Sequence, residues 1–121
     1  MLKRRMNKGY FIRKADKLWS LAIRQRDKRC VICGRIDTLQ AAHIFSRVSR
    51  VTRWDLLNGL ALCYWHHFHF AHKEPILFAE FVKKYLGKEY AVLRRRHNES
   101  RVFSINDILE KIEVLEAYLQ F

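Results

Sequence analysis

The sequence predicts a small α+β domain that is mostly helical. Its 121 residues suit one hydrophobic core and are too few for two. Half of them are apolar or aromatic and only one is proline, which excludes a disordered, collagen-like or low-complexity chain. Two short apolar stretches have the length of strands, while other apolar residues recur with a helical period. We divide this single domain into a basic arm with an N-terminal helix, a central core and C-terminal helices, at residues 1–29, 30–72 and 73–121.

The N-terminal part is predicted to form an arm followed by a helix. Residues 2–14 are basic with scattered apolar positions, which is typical of an arm. In residues 15–26 the apolar side chains recur at i, i+1, i+4 and i+5, and Lys and Arg occupy the other side. This pattern predicts a helix whose buried face carries Leu18, Trp19, Ala22 and Ile23.

The central part is predicted to contain two short strands. Residues 30–34 form a tight turn, because Gly34 can adopt a positive φ. Residues 39–45 and 60–63 are short and apolar, and residues 46–58 between them are a polar, arginine-rich loop. The histidine-rich segment that follows the second strand is expected to begin a helix.

The C-terminal part is predicted to contain three helices. Pro75 suits the first turn of a helix that ends at Gly87, and residues 89–96 form a second helix. Ser104 and Asp107 have the spacing of a capping box, so the third helix begins there. Its apolar residues recur at intervals of three and four. They are expected to pack on the domain's own core or, in the alternative, to form a homodimer contact: Ile105, Ile108, Ile112, Leu115 and Leu119.

The chain is strongly basic, with 24 Lys and Arg residues against 12 Asp and Glu residues and a formal net charge of +12. Such a charge favours a polyanionic partner, most commonly nucleic acid, and a solvated basic surface is the alternative. The excess lies mainly in residues 1–29 and 73–101, which makes arginines there candidate phosphate contacts: Arg4, Arg5, Arg94, Arg95 and Arg96. Because no apolar run suits a membrane span and no signal peptide is recognised, we expect a cytoplasmic protein without a membrane partner.

Three cysteines and one histidine have the spacing of a zinc site. Cys30 and Cys33 are separated by two residues, and thirty residues later Cys63 and His66 repeat this spacing. Two such pairs complete the tetrahedron that Zn²⁺ prefers, and a site closed by four protein ligands is structural. A redox pair or buried thiols are the alternatives, and His67 competes with His66 for the fourth position. The odd number of cysteines and the lack of a secretory signal argue against a disulfide framework.

A second pattern lies in the histidines, five of which fall within residues 43–72. His43 lies in the first predicted strand, Asn58 follows fifteen residues later, and His67 nine residues after that. The surrounding motifs are Ala-Ala-His-Ile at 41–44, Arg-Trp-Asp-Leu-Leu-Asn-Gly at 53–59 and Leu-Cys-Tyr-Trp-His-His at 62–67. On these motifs residues 28–72 resemble the HNH nucleases, and are most similar to phage proteins grouped with the lambda-type NinG recombination endonucleases.

The resemblance implies an α+β fold, mostly helical, around a zinc-stapled ββα-metal core. It implies that His43 is the general base that takes a proton from water, a role suited to the ordinary pKa of histidine. Asn58 would brace the loop and orient His43. His67 would hold one divalent ion, Mg²⁺, Mn²⁺, Ni²⁺ or Zn²⁺, which contacts the scissile phosphate and stabilises the leaving oxygen.

The sequence departs from the family pattern at two positions. Many HNH enzymes have a metal-binding Asp or His before the base, where this chain has Ala42. A further ligand often follows one helical turn after the last motif histidine, where this chain has Ala71. We favour His72 over His69 as the second protein ligand, because a loosened turn before the following proline would bring it into line. If neither binds, Asn58 or phosphate and water must complete the coordination.

Two hypotheses follow. In the first, the protein is a metal-dependent HNH DNA endonuclease in phage recombination or DNA processing, with branched DNA as a candidate substrate and the host cytoplasm as its location. Arg47, Arg50 and Arg53, in the loop before Asn58, would then contact phosphates near the cut. In the alternative, the chain is a non-catalytic zinc-containing nucleic-acid-binding protein, and His43 and Asn58 are only structural.

Overall fold

Five helices surround a two-stranded sheet in the computed structural model, which describes residues 7–99 and 101–120. The predicted phosphate contacts Arg4 and Arg5 lie outside the described residues. Within these ranges, no helix combines the length and the apolar character that crossing a bilayer requires. The elements, in chain order, are α1 (Lys8–Asp27), β1 (Gln40–His43), α2 (Arg50–Arg53), a 3₁₀ turn (Leu56–Asn58), β2 (Gly59–Leu62), a π-helical turn (His66–Ala71), α3 (Pro75–Leu86), α4 (Lys88–His97) and α5 (Ile105–Leu119).

Helix α1 begins seven residues earlier than the sequence pattern predicted. The side chain of Asn7 caps it by accepting a hydrogen bond from the backbone N–H of Tyr10. Phe11 and Ile12 then extend the apolar face, and both pack against the core. The prediction of an arm is therefore wrong for residues 8–14, because a cap and two further apolar contacts stabilise helix there. The helix ends at Lys28, which adopts a left-handed conformation with φ 66°.

The two strands form one antiparallel pair in which Gln40 lies opposite Leu62 and His43 opposite Gly59. Strand β1 is shorter than the predicted 39–45. The chain leaves the ladder after Ile44, whose N–H donates to the Asn58 carbonyl at 3.0 Å. Phe45 then bonds the side chain of Asn58 instead of a neighbouring strand, which ends the sheet.

Helix α1 is joined to β2 by its last two residues. Arg26 donates to the carbonyl oxygens of Leu56 at 2.6 Å and Gly59 at 2.7 Å, and the Asp27 carboxylate accepts the N–H of Ala61 at 2.8 Å. Gly59 allows the helix to approach this closely, because a Cβ at this position would overlap the indole of Trp19. These contacts hold β2 against α1 through protein groups alone.

The sheet separates two buried clusters. Alternate residues of a strand point to opposite faces, so Ala61 contacts one cluster, whereas Leu60 and Leu62 belong to the other. The first cluster joins α1 to α5, and its members include Leu18, Trp19, Ile23, Trp54, Ile108, Ile112 and Leu115. The second joins the cysteine-containing turn to α3, and consists of Cys30, Ala42, Leu60, Leu62, Cys63, Phe78 and Val82.

The predicted C-terminal helices are confirmed in their main features. Helix α3 begins with Pro75 and ends before Gly87, which has φ 57°. The capping box at the start of α5 is present in both directions, with Ser104 and Asp107 bonding each other's backbone N–H. The apolar side of α5 packs on α1, which is the intramolecular alternative. The structure therefore gives no support to the homodimer contact.

The polar segment 46–58 is more ordered than a simple loop. It contains the single turn of α2 and the 3₁₀ turn, and the Asp55 side chain caps the latter by accepting the N–H of Leu57 at 2.9 Å. Trp54 and Thr52 are both buried. This segment is therefore part of the core. The sequence predicts an irregular loop here, because its polar, arginine-rich composition gives no sign that Thr52 and Trp54 are buried.

Candidate active site and metal centre

The four predicted zinc ligands come together. Cys30 and Cys33 lie in the turn after α1, Cys63 follows β2, and His66 begins the π-helical turn. Their ligand atoms all lie within 4.8 Å of one another. A tetrahedral Zn²⁺ with bonds of about 2.3 Å to sulfur and 2.0 Å to nitrogen requires ligand atoms about 3.5–3.8 Å apart. The contacts have this scale, at 3.8 Å for Cys33 Sγ–Cys63 Sγ, 3.7 Å for Cys30 Sγ–His66 Nδ1 and 3.3 Å for Cys63 Sγ–His66 Nδ1.

Local hydrogen bonds prepare the cysteine-containing turn for a metal. Gly34, with φ 78°, donates its N–H to the Cys30 carbonyl at 2.8 Å and closes the turn. Burial raises the pKa of the Cys30 thiol, but hydrogen bonds from backbone N–H groups, first that of Cys63 and then that of Cys33, outweigh burial and lower it. The lowered pKa favours the thiolate, which is the form that binds metal. These four residues could therefore hold a metal ion, and His67 is not among them.

His43, the last residue of β1, is held by its surroundings with one ring nitrogen free. Its Nε2 lies 2.9 Å from the Arg53 carbonyl oxygen. Because a carbonyl only accepts, Nε2 carries the proton and the lone pair is on Nδ1. The ring stacks on Trp19 with centroids 3.9 Å apart and an angle of 7°. Burial lowers the pKa of His43, and the positive charges of Arg53 and Arg47 lower it further, so the neutral form predominates at pH 7.

Asn58 is completely buried and braces the loop between the strands. Its Oδ1 accepts the N–H of Phe45 at 2.8 Å, and its Nδ2 donates to the carbonyl oxygens of Phe45 at 3.1 Å and Thr52 at 3.0 Å. Both Nδ2 hydrogens are thus used within the chain. The Asn58 side chain therefore joins residues 45 and 52 to residue 58. It stabilises the loop in which the Arg53 carbonyl contacts His43.

His67 and His72 lie on the same side of the π-helical turn, with ring centroids 4.8 Å apart. In such a turn the N–H of residue i+5 bonds to the carbonyl of residue i, and here the N–H of His72 donates to the His67 carbonyl at 3.2 Å. In an α-helix, His72 would lie on a different face from His67, five residues earlier. In this π-helical turn, five residues make about one full turn, so the two side chains lie on the same side. His69 instead packs on the ring of Trp65, 5.4 Å away.

Gln40 orients His67, and the sequence analysis missed it. Its Oε1 lies 2.6 Å from His67 Nδ1, and because an amide oxygen accepts, Nδ1 carries the proton and Nε2 is free to bind a metal. Burial lowers the pKa of His67, and the nearby rings of His72 and His43 add to the effect. The neutral ring is the metal-binding form. A single long polar side chain at the start of an otherwise apolar strand was the available signal.

Asp16 is a second residue that the sequence analysis missed. From α1 its carboxylate accepts hydrogen bonds from the Arg53 guanidinium at 3.0 and 2.8 Å and from the Trp54 indole at 2.8 Å. The Arg53 side chain is only 13% exposed. The Arg53 guanidinium therefore binds Asp16, and the prediction that it contacts a DNA phosphate gains no support. The backbone carbonyl of Arg53 accepts the hydrogen bond that holds His43. An acidic residue within a strongly basic helix was the sequence signal for such an internal partner.

The three histidines line one open cleft of about 780 Å³. Its wall also includes Asp16, Arg47 and Tyr90. Asp16 is the only carboxylate on this wall within the described chain, and it is engaged by Arg53 and Trp54. The cleft therefore brings imidazole rings together beside the Arg47 side chain.

The arginines that were predicted to contact DNA phosphates differ in how exposed their side chains are. Arg47, Arg94 and Arg95 are exposed, and Arg50 is partly exposed. Arg96 is also exposed but donates to both oxygens of Asp55, at 3.1 and 2.9 Å. Because the Asp55 side chain is only 12% exposed, this ion pair engages the Arg96 guanidinium within the chain.

Residues 30–74 match the family model described as an HNH endonuclease. The match covers the segment that contains the four cysteine and histidine ligands, His43, Asn58, His67 and His72. It supports a nuclease in general, with DNA as the substrate that an HNH domain implies, and it names no narrower group. The comparison with curated proteins and the comparison with solved structures each give no match.

Proposed function

We propose that the protein is a metal-dependent DNA endonuclease in which His43 is the general base. One observation carries this proposal: His43 and His67 line the same cleft, and each is held through one ring nitrogen, while the other nitrogen has no partner among the described residues. The family match of residues 30–74 supports the same chemistry.

The base is suited to its task by its surroundings. Nδ1 of His43 takes the proton from a water molecule as the water oxygen attacks phosphorus and the bond to the departing 3′ oxygen breaks. The Arg53 carbonyl, hydrogen-bonded to Nε2, then stabilises the positive ring that results. Because the pKa of His43 lies below that of free histidine, the ring is ready to accept a proton at neutral pH.

His67 Nε2 and His72 are proposed to hold one divalent ion. When bound, the ion supplies a positive charge that neutralises the scissile phosphate and the leaving oxygen. The donor set fits such an ion, since the two imidazole rings are 4.8 Å apart at their centroids. Imidazole ligands without a free carboxylate suit Zn²⁺ or Ni²⁺ better than Mg²⁺, and Ala42 adds no ligand. We therefore expect Ni²⁺ to support cleavage more effectively than Mg²⁺ or Mn²⁺.

Cys30, Cys33, Cys63 and His66 are proposed to hold a structural Zn²⁺. The 3.3–3.8 Å contacts among their ligand atoms support this assignment. All four tetrahedral positions would be filled by the protein, so the ion has no open position for substrate. Its role is to join the turn after α1 to the segment that carries His67.

The finer assignment rests on the resemblance of residues 28–72 to the NinG-like phage proteins. It places the enzyme in phage recombination or DNA processing in the host cytoplasm, with branched DNA as a substrate. Exposed Arg47, Arg94 and Arg95 and partly exposed Arg50 would contact phosphates, and Arg4 and Arg5 are proposed to do the same. Cleavage of matched linear, nicked, flap and four-way DNA tests this assignment, and equal rates on all four would contradict it.

Nicking of supercoiled plasmid with added Mg²⁺, Mn²⁺ or Ni²⁺ tests the proposed activity. We expect His43→Ala to lower the nicking rate by about 10²–10⁴-fold, the usual contribution of a general base, with DNA binding retained in a gel-shift assay. Tyr118→Ala is the control, because Tyr118 is exposed on α5 and does not line the cleft. Equal nicking by the wild type and His43→Ala would favour the non-catalytic binding protein instead.

A further inference from the structure

A group of aromatic side chains lies exposed beside the cleft and is not used by the proposed chemistry. Tyr64, Trp65 and Phe68, which we call the aromatic patch, are 50%, 57% and 46% exposed. None of them lines the cleft. Large apolar side chains that cluster on a surface mark a site of interaction more often than scattered ones do.

The rings of the patch are arranged as flat surfaces. Tyr64 and Phe68 are nearly parallel, with an angle of 4° and centroids 5.8 Å apart. Trp65 lies beside the His69 ring at an angle of 33°. Phe68 stacks on Tyr64 and has Lys73 over its ring, so it supports the patch, while the exposed ring surfaces of Tyr64 and Trp65 remain for other planar groups.

The charge around the patch is complementary to a polyanion. The Lys73 ammonium lies over the Phe68 ring, 5.2 Å from its centroid. Residues 56–73 contain no Asp or Glu, and the first carboxylate after the patch is that of the exposed Glu74, six residues beyond Phe68. Aromatic rings combined with a cation form the usual chemistry of a surface that binds single-stranded nucleic acid.

The patch is also continuous with the proposed site. Phe68 directly follows His67, so their Cα atoms are about 3.8 Å apart. We propose that the aromatic patch stacks on unpaired bases of the DNA strand that enters the cleft. The inference rests on the proposed function for the identity of the nucleic acid, and it adds that the enzyme takes DNA with unpaired nucleotides next to the cut.

Binding of an oligothymidylate of about 12 nucleotides, a length within the range of known single-strand sites, tests the inference. The measurements use His43→Ala as the background so that no cleavage occurs, and compare the single strand with a duplex of equal length. We expect the variant that carries both Trp65→Ala and Phe68→Ala in this background to bind the single strand at least tenfold more weakly, since one stacked base contributes about 1–3 kcal/mol. Duplex binding should change less than twofold.

Fluorescence provides a direct readout of stacking. Trp19 and Trp54 are each only 2% exposed, so quenching by the oligothymidylate should come from Trp65 and should disappear in Trp65→Ala. Tyr118→Ala is the matched control, because Tyr118 is 45% exposed and lies on α5. Trp65→Phe keeps a ring and should retain most of the affinity. Zinc content and thermal melting show whether each variant is folded.

Three results would overturn the inference: unchanged single-strand binding in the folded variant, an equal loss of duplex binding, or equal affinity for an abasic strand. A dimer that becomes monomeric in the variant, measured by sedimentation, would also overturn it, because the patch would then contact a second copy. Failure of the proposed nuclease is a separate outcome. If plasmid is not nicked by the wild type but the patch variants lose single-strand binding, the stacking surface stands and the catalytic proposal fails.

Discussion

The two histidine-containing centres of this small domain are built in different ways. The cysteine cluster draws its four ligands from two short pairs with the same spacing, and local turns deliver them. The cleft takes His43 from a strand and His67 and His72 from a π-helical turn, and residues far along the chain orient them. The first centre is closed and suits stability, whereas the second keeps free nitrogens and suits chemistry.

In the cleft, His43 and His67 are each hydrogen-bonded through one ring nitrogen, which fixes the direction of the other. The partner of His43 is the Arg53 carbonyl, and the partner of His67 is Gln40. In the cysteine cluster the hydrogen bonds come from backbone N–H groups around Cys30. The contrast leads to four predictions about what each centre does for the protein.

The largest expected effect is on stability, at the cysteine cluster. We expect Cys30→Ser to remove about one zinc per chain and to unfold the domain, since structural zinc contributes about 10–16 kcal/mol of apparent binding free energy in small domains. Elemental analysis and thermal melting measure both effects. His72→Ala is the control and should keep the zinc, so the loss of zinc from both variants would contradict the separation of the two centres.

The next effect is on the catalytic metal. We expect His72→Ala to raise the concentration of Ni²⁺ needed for half-maximal nicking by more than about 100-fold, because the loss of a ligand exceeds the 10–100-fold cost of losing a supporting contact. His69→Ala should leave this concentration unchanged, because His69 packs on Trp65 and not on His67. If His69→Ala raised this metal concentration and His72→Ala did not, His69 would be the ligand.

Loss of the contact from Gln40 should have a smaller effect on the same metal. Gln40→Leu removes the acceptor that holds His67 Nδ1–H at 2.6 Å, so we expect metal affinity, measured by calorimetry in the His43→Ala background, to fall about tenfold. Gln40→Glu keeps an acceptor and should restore the affinity. Equal affinity in the wild type and the Leu variant would mean that the hydrogen bond does not orient the ring.

The smallest expected effect is a shift in pH dependence. Because burial and neighbouring positive charges lower the pKa of His43, the nicking rate should fall only as the pH drops below about 6.5, the ordinary histidine value. The Asp16 carboxylate acts in the opposite direction and raises this pKa. Asp16→Asn should therefore shift the acidic limb of the rate profile to still lower pH. A shift to higher pH would show that His43 is not the titrating base.

Local signals made the helices of the C-terminal part predictable. Pro75, Gly87 and the Ser104–Asp107 capping box act within a few residues of themselves, and each is where the structure begins or ends a helix. The start of α1 was placed too late, because Asn7 and its cap lie among basic residues that look like an arm. The loop 46–58 was predicted as irregular, because the burial of Trp54 depends on Asp16, which lies 38 residues away in the chain.

The spacing of the two Cys and Cys/His pairs, the basic charge and the order of His43, Asn58 and His67 can be read from the chain alone, because spacing and composition do not depend on folding. Three features depend on the folded structure: His72 turns toward His67, Gln40 holds His67, and Arg53 faces Asp16 while its carbonyl holds His43. The physical reason is distance along the chain. The hydrogen bonds of Gln40 to His67 and of Arg53 to Asp16 join residues 27 and 37 positions apart and depend on how the sheet and α1 pack, which no local pattern encodes.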